Sequence, residues 1–234
     1  MDQTSETSRG GHTRIGVIGG TFDPVHYAHL AIAEEVYQAL QLAKMVFVPA
    51  GEPPHKVGYQ ITPVEHRVAM LERAIASNPH FALSLVDVQR SGPSYTVETL
   101  RLLRREWGER TDLYFVLGGD SLKDLPTWYN APGVLAQAVI VALVRPGYAD
   151  LTTSRERLAT SLPGIQDRLM TLEGPRMEIS STDLRRRVAQ GRPIKYQVPE
   201  AVEEYIFRHG LYRDEVSGQV VEDTREDTHA TNAI

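Results

Sequence analysis

The sequence contains no cysteine, which excludes disulfide bonds and thiolate metal sites. It has no apolar run long enough to cross a bilayer, and its first residues lack the apolar core of a signal peptide. Basic residues are not in excess, since the formal net charge is −5, so no overall basic field attracts nucleic acid or an acidic membrane surface. These absences predict a cytoplasmic protein without nucleic-acid or membrane partners. Any phosphate site has to be built locally, from a few basic side chains and backbone N–H groups.

Short apolar runs alternate with amphipathic stretches along most of the chain. Nearly continuous apolar strands joined by helical crossovers are typical of a parallel sheet covered on both faces. The pattern therefore predicts an α/β fold, a doubly wound Rossmann-like parallel sheet with C-terminal helices. The predicted strands are Arg14–Gly19, Met45–Pro49, Phe81–Val86, Leu113–Leu117, Val139–Val144 and Arg168–Leu172. The predicted helices are Tyr27–Leu42, Pro63–Ser77, Thr96–Trp107, a segment after Asn130, Tyr148–Leu162, Thr182–Gln190 and Pro199–His209.

No linker divides the chain, so a single domain over residues 14–212 is expected. Residues 1–13 are polar and predict a disordered N-terminal extension. Residues 213–234 carry more acids than bases and almost no large apolar side chains, which predicts a disordered acidic tail. A homo-oligomer is compatible with the sequence.

A glycine pair, a proline and two histidines share one bend in the segment GGTFDPVHYAHL, which begins at Gly19. The bend lies between a predicted strand and a predicted helix, at the position where open α/β sheets bind ligands. Gly19 and Gly20 allow the backbone to approach a phosphate closely, and the helix start offers N–H groups to it. His26 and His29 lie on one face of the first helical turn, where both can donate hydrogen bonds to phosphate oxygens.

Three interpretations of this bend are open from its residues alone: a phosphate-binding loop, a metal site, or a tight turn with surface histidines. A zinc site needs a third ligand, and the bend lacks the glutamate of the His-Glu-x-x-His motif. The dinucleotide fingerprint Gly-x-Gly-x-x-Gly is also absent, which argues against a hydride-transfer enzyme.

A second polar segment, ISSTDLRRRV at Ile179–Val188, has the pattern of a helix start. One of its three hydroxyl residues can cap the helix, and Asp183 suits the positive end of the helix dipole. The segment fits a capped helix with a solvated basic face. It also fits a polyphosphate clamp in which hydroxyl groups and Arg185 hold phosphate oxygens.

Together these two segments resemble the signature motifs of the HxGH nucleotidyltransferases. Between them, four stretches resemble the bacterial nicotinate-nucleotide adenylyltransferase family, and the resemblance runs from Gly19 to about Tyr212. Two departures stand out: Ala28 replaces the signature glycine, and Gly119 replaces the alanine of the usual Gly-Ala-Asp. The four stretches are PPHK (Pro53–Lys56), SYTVETL (Ser94–Leu100), GGDSLKDLPTW (Gly118–Trp128) and VRPGY (Val144–Tyr148).

The resemblance implies adenylyl transfer from ATP to nicotinate mononucleotide, which gives nicotinate adenine dinucleotide and pyrophosphate. It implies Mg²⁺ carried with the ATP phosphates rather than in a protein metal site. The catalytic residues implied are His26, His29 and Arg185. The implied ATP-binding residues are Gly19, Gly20, Thr21, Phe22, His26, His29, Gly118, Asp120, Ser180, Ser181, Thr182 and Arg185. The implied acceptor-binding residues are Lys56, Tyr95, Thr96, Trp128 and Tyr129.

Three alternatives remain. Pantetheine-phosphate adenylyltransferase shares the first and last motifs but would not explain Ser-Tyr-Thr or Leu-Pro-Thr-Trp. The same fold can also serve the amide acceptor, nicotinamide mononucleotide. A non-catalytic nucleotide-binding module is a different class, against which the intact histidine pair and Arg185 argue.

Overall fold

The computed structural model describes residues 11–54, 61–144 and 151–213, with the backbone alone for Asp120 and residues 151–155. Six parallel strands form one sheet in the order β3-β2-β1-β4-β5-β6. The order reverses beside β1, which makes the carboxyl edge of β1 and β4 the switch point of the sheet. The predicted fold class, including the two C-terminal helices, is confirmed.

The strands and helices alternate along the described chain. The strands are β1 (Thr13–Gly20), β2 (Lys44–Pro49), β3 (Phe81–Leu83), β4 (Thr111–Gly118), β5 (Val139–Val144) and β6 (Leu169–Glu173). The helices are α1 (Tyr27–Ala39), α2 (Val64–Ile75), α3 (Thr96–Trp107), α4 (Gly119–Asp124), α5 (Ala131–Gln137), α6 (Leu151–Ser161), α7 (Ser181–Ala189) and α8 (Glu200–Arg208). Short 3₁₀ turns lie at Leu125–Thr127 and Ile165–Asp167.

The sheet is buried on both faces by apolar side chains. One layer packs α1, α2, α7 and α8 against the sheet, with Val36, Leu71 and Ile206 at its centre. The other packs α3, α5 and α6, with Leu100 and Val134 fully buried. Burial on both faces explains why the strands read as continuous apolar runs.

Several predicted boundaries were displaced. β3 ends at Leu83 rather than Val86, because the chain turns away after Ser84, with Val88 N–H bonded to Leu85 O. α1 ends at Ala39 because Gln41 adopts φ +49°, which no helix continues. α2 begins at Val64 and ends at Ile75, one residue later and two residues earlier than predicted.

A short helix that the sequence did not predict follows β4 directly. α4 and the 3₁₀ turn after it carry the chain from Gly118 to Trp128. Both elements are shorter than the window over which helical periodicity becomes visible. They matter because they place Trp128 beside the carboxyl edge of the sheet.

Most of the two predicted tails lies outside the described residues. Residues 1–10 and 214–234 lie beyond the described residues. Thr13, assigned by the sequence to the N-terminal extension, already belongs to β1, and His12 Nδ1 lies 3.1 Å from Asp112 Oδ1. No helix among the described residues is long and apolar enough to cross a membrane.

Candidate nucleotide-binding site

Two cavities open at the carboxyl edge of the sheet, on either side of the β1–α1 turn. The larger has a volume of about 950 Å³ and lies against α1, the ends of β4 and β5, and the start of α7. The smaller, of about 160 Å³, lies between the ends of β1 and β2, the start of α3 and the segment at Trp128. Two cavities of different size at a switch point suit a protein that joins two ligands.

Two stacked histidine rings line the larger cavity. His26 is the N-cap of α1, and its ring centroid lies 3.7 Å from that of His29. The backbone N–H of His26 donates to Nδ1 of His29 at 3.3 Å. Since Nδ1 of His29 accepts that bond, its Nε2 carries the proton and is the donor left for a ligand. Nδ1 of His26 is buried and has no hydrogen-bond partner among the described residues.

Burial keeps both rings neutral near pH 7. Loss of hydration lowers the pKa of His26 to about 4. Loss of hydration, with a smaller effect from His26, lowers the pKa of His29 to about 3. The pair can therefore donate hydrogen bonds to an anionic ligand without bringing a charge of its own into the cavity.

The two signature segments meet in one wall of the site. Ser180 caps α7, its hydroxyl accepting from Asp183 N–H. Ser181 Oγ donates to Pro24 O at 2.9 Å, across 157 residues of sequence. Arg185 Nη1 donates to Asp23 O at 2.9 Å. The start of α7 is thus bonded to the β1–α1 turn, which explains how distant motifs form one site.

The residues predicted to bind ATP divide between several places. His26, His29, Gly118, Ser180 and Ser181 line the larger cavity. Gly19, Gly20 and Thr21 line the smaller one instead. The side chain of Asp120 lies outside the description.

Three other predicted ATP contacts are not in the described lining of either cavity. The Phe22 side chain is buried, with its ring 5.1 Å from that of His29, so it supports that ring from behind. Thr182 is exposed, and Arg185 faces the β1–α1 turn. The start of α1 is also partly satisfied, because Tyr27 N–H donates to Gln197 O.

The predicted acceptor residues are brought together in the smaller cavity. Tyr95, Thr96, Trp128 and Tyr129 all line it. Tyr129 is 60% exposed and stacks on Tyr95 with ring centroids 4.4 Å apart. Trp128 contacts Phe115 edge to face at 6.2 Å. Lys56 lies outside the described residues.

Thr96 begins α3, and this helix start supplies donors to the smaller cavity. Tyr95, its N-cap, makes no side-chain hydrogen bond to the helix. The first N–H groups of a helix have no acceptor within it. The start of α3 can therefore receive the oxygens of an acidic ring substituent.

A fully buried arginine joins the loops around the smaller cavity. Arg67, in α2, is 1% exposed. Its guanidinium donates to Thr21 O at 2.9 Å, Ala50 O at 2.8 Å and Gly51 O at 3.3 Å, and its Nε donates to Thr62 O at 2.9 Å. Burial lowers its pKa, an effect that the nearby Asp23 carboxylate opposes. The sequence analysis missed this residue, although a charge on the apolar stripe of α2 is a visible signal.

A buried polar group in the wall of the smaller cavity was also missed. Asp87 and Thr99 line that cavity and are each 4% exposed. Thr99 lies within the SYTVETL stretch, but nothing in the sequence pairs it with Asp87. Among the described residues, no cluster of three or more His, Asp or Glu could hold a metal ion.

The fold and site define a class of protein. The chain belongs to the cytidylyltransferase-like family, whose family model matches residues 17–187.

Similar sequences identify a smaller group within this family. A "Probable nicotinate-nucleotide adenylyltransferase" of Thermomicrobium roseum is 51% identical over 202 residues, covering 86% of this chain and 92% of the relative. One of the same name from a Roseiflexus species is 54% identical, covering 85% of this chain and 98% of the relative. These identities place the chain among the nicotinate-nucleotide adenylyltransferase sequences, as the motifs predicted.

Solved structures agree on the fold. Plasmodium falciparum nicotinic acid mononucleotide adenylyltransferase complexed with NaAD is 19% identical with a TM-score of 0.68, covering 86% of this chain and 98% of that chain. The same enzyme complexed with APC is 20% identical with a TM-score of 0.65, covering 86% of this chain and 98% of that chain.

Proposed function

We propose that this protein transfers the adenylyl group of ATP to nicotinate mononucleotide, forming nicotinate adenine dinucleotide and pyrophosphate. The observation that carries the proposal is the histidine pair at the start of α1, which faces a nucleotide-sized cavity beside a second, aromatic one. ATP would occupy the larger cavity and nicotinate mononucleotide the smaller. The 160 Å³ volume of the smaller cavity lies below the usual range for a ligand pocket, so the acceptor has to widen it on binding.

In this reaction a phosphate oxygen of the acceptor attacks the α-phosphorus of ATP, and pyrophosphate leaves. The attacking oxygen is already an anion, so no general base is required. Catalysis therefore rests on positioning and on stabilising the charge that develops on the phosphates. His29 Nε2–H would donate to the α-phosphate, with His26 beside it.

The start of α7 would hold the leaving group. Ser180, Ser181, Thr182 and Arg185 are assigned to the β- and γ-phosphates, although Arg185 has to turn from Asp23 O to reach them. Gly118 and Asp120 are assigned to the adenosine ribose. We assign Lys56 to the triphosphate or the acceptor phosphate.

A divalent metal enters with ATP, and we propose that it is Mg²⁺. The histidines facing the cavity are poor ligands for Mg²⁺, which prefers oxygen and is held largely by substrate phosphates and water. Bound there, it would neutralise charge on the departing pyrophosphate. The cytoplasmic location, the absence of nucleic-acid and membrane partners and the homo-oligomer stay predictions.

From the free N–H groups at the start of α3 we expect a preference for the acid acceptor. Fixed N–H donors suit a carboxylate, which only accepts. The NH₂ group of an amide would face a donor and leave a buried N–H unpaired, at a cost of roughly 1–3 kcal/mol. That penalty corresponds to about tenfold to hundredfold discrimination.

Pyrophosphate release tests the proposal when nicotinate mononucleotide, nicotinamide mononucleotide and pantetheine phosphate are compared at matched concentrations. We expect the acid nucleotide to give the highest kcat/KM by about tenfold or more. Faster turnover of pantetheine phosphate, or no turnover of any acceptor, would reject the assignment.

Trp128→Ala tests the assignment of the smaller cavity. Loss of the indole stack should raise KM for both pyridine nucleotides and leave the KM for ATP nearly unchanged. Trp107→Ala, at the far end of α3, is the matched control and should change neither. A Trp128 variant that lost ATP affinity instead would mean that the two cavities are assigned the wrong way round.

A further inference from the structure

An ion pair with a buried carboxylate lies in the wall of the smaller cavity. Thr99 Oγ lies 2.9 and 2.8 Å from the two carboxylate oxygens of Asp87. Arg90 Nε donates to Oδ1 of the same carboxylate at 2.9 Å. Asp87 and Thr99 line the cavity, whereas Arg90 is not among its described lining residues. A negative charge therefore borders the space assigned to the acceptor, and its counter-charge stands behind it.

The turn that carries Asp87 is fixed against the neighbouring loop. A Cβ added at Gly51 would lie 2.4 Å from Asp87 O, so the loop after β2 packs directly on this turn. Thr99 also lies one helical turn into α3, with its Oγ 3.2 Å from Tyr95 O. The Asp87 backbone is thus packed against the loop after β2, and its carboxylate is bonded to Thr99 near the start of α3.

Arg90 is the residue that balances the charge of Asp87. Among the described residues, Arg90 is the only cation within salt-bridge distance of the Asp87 carboxylate. Nη2 of Arg90 is buried and has no hydrogen-bond partner in the described part of the chain. Without Arg90, the uncompensated carboxylate at the cavity surface would repel an anionic ring substituent.

We propose that Arg90 is a positioning residue for acceptor specificity that acts through Asp87. By neutralising Asp87, it allows the smaller cavity to take a ring carboxylate, while an uncharged amide is far less affected. The inference rests on the proposed function, because it concerns the acceptor of that same reaction. It differs from that function in predicting a change in the ratio of two acceptors rather than activity itself.

The test compares kcat/KM for the acid and amide mononucleotides in wild type and Arg90→Gln. We expect kcat/KM for the acid acceptor to fall about tenfold more than for the amide. A factor of this size corresponds to one charge interaction, between the Asp87 carboxylate and the ring carboxylate. Arg90→Lys should recover most of the wild-type ratio. Arg101→Gln is the matched control, since Arg101 forms an exposed i,i+3 pair with Glu98 on α3, and it should leave the ratio unchanged.

A second pair of variants separates charge from packing. Asp87→Asn/Arg90→Gln removes both charges and should return the acid-to-amide ratio toward the wild-type value, and Asp87→Asn alone should raise it. Equal losses for both acceptors in Arg90→Gln, or an unchanged ratio in Asp87→Asn if Arg90→Gln does not fold, would overturn the inference. Wild type that turns over neither acceptor would reject the proposed function instead.

Discussion

At the scale of single residues, the site depends on neutral donors. The His29 ring contacts Phe22 edge to face, stacks on His26, and accepts a hydrogen bond at its Nδ1. Its Nε2–H is therefore oriented before any ligand arrives. Preorganised donors of this kind contribute to the transition state because they need not reorganise during the reaction.

His29→Ala should leave the fold intact and lower kcat by on the order of 10²-fold or more, the usual effect of removing one preorganised donor. His80→Ala is the matched control, because His80 is exposed and stacks on Tyr37 away from both cavities. Steady-state kinetics and circular dichroism on both variants check this. A folded His29 variant with normal turnover would remove the residue from the mechanism.

The lowered pKa values predict an acid dependence of stability. The unfolded chain protonates both histidines near pH 6.5, whereas the folded protein resists protonation to about pH 4 at His26 and about pH 3 at His29. Their contribution to stability is therefore present above pH 6.5 and is lost as the pH falls below it. The free energy of unfolding should drop by up to about 1.4 kcal/mol per pH unit for each histidine.

Urea unfolding between pH 7 and pH 5 measures this slope. The His26→Gln/His29→Gln variant should show a shallower decline, because neither replacement binds a proton in this range. An identical slope in the variant would mean that other groups cause the acid dependence.

The sequence motifs, with the family that they resemble, indicated part of this site. The histidine pair and the α7 hydroxyls carry visible motifs, and the structure places His26, His29, Ser180 and Ser181 around one cavity as expected. Asp87 could not be found, because its role depends on a contact with Thr99, twelve residues further along the chain, that no motif in the sequence indicates.

At the scale of elements, the start of α7 forms one wall of the larger cavity and is hydrogen-bonded to the β1–α1 turn.

Arg185→Ala should raise KM for ATP and lower kcat, because a guanidinium clamp on phosphate is poorly replaced by water. Arg186→Ala is the control on the same helix, since Arg186 donates to Asp183 on the outer surface. Kinetics with varied ATP distinguish the two, and equal effects would indicate a merely basic helix.

The helices and strands predicted best are those in which the pattern of apolar residues continues without interruption. The helices α1, α2 and α3, of 12 or 13 residues, and the central strands were found to within a few residues. α4 was missed because it is too short to show a helical period. β3 was predicted too long, because an apolar run at a sheet edge does not show where its pairing with the neighbouring strand ends. β2 offers register partners only as far as Leu83.

At the scale of the whole molecule, the larger cavity is built from segments spread over most of the described chain. The start of α1, the ends of β4 and β5, and the start of α7 all contribute. A ligand that contacts all of them stabilises the folded state as a whole and not a single loop.

Saturating ATP with Mg²⁺ should therefore raise the melting temperature. At a ligand concentration of about 100 Kd the gain is about 2.7 kcal/mol, which corresponds to roughly 5–10 °C for a domain of this size. Differential scanning fluorimetry over an ATP series checks this, and Arg185→Ala should need more ATP for the same rise. A melting temperature that ATP does not move would mean that the folded protein does not bind ATP at these concentrations.

The Arg67 guanidinium forms hydrogen bonds on both sides of residues 55–60. It donates to Gly51 O, which precedes them, and to Thr62 O, which follows them. Because β1 also pairs with β4, which follows the same segment, we expect the two parts of the chain to stay associated after a cut between those flanks. A chain carrying a protease recognition sequence at 55–60 and cut there should run as two bands under denaturing electrophoresis and elute as one species from a sizing column. Adenylyl transfer retained by that two-piece protein would then show how far catalysis depends on the continuity of the segment that contains Lys56.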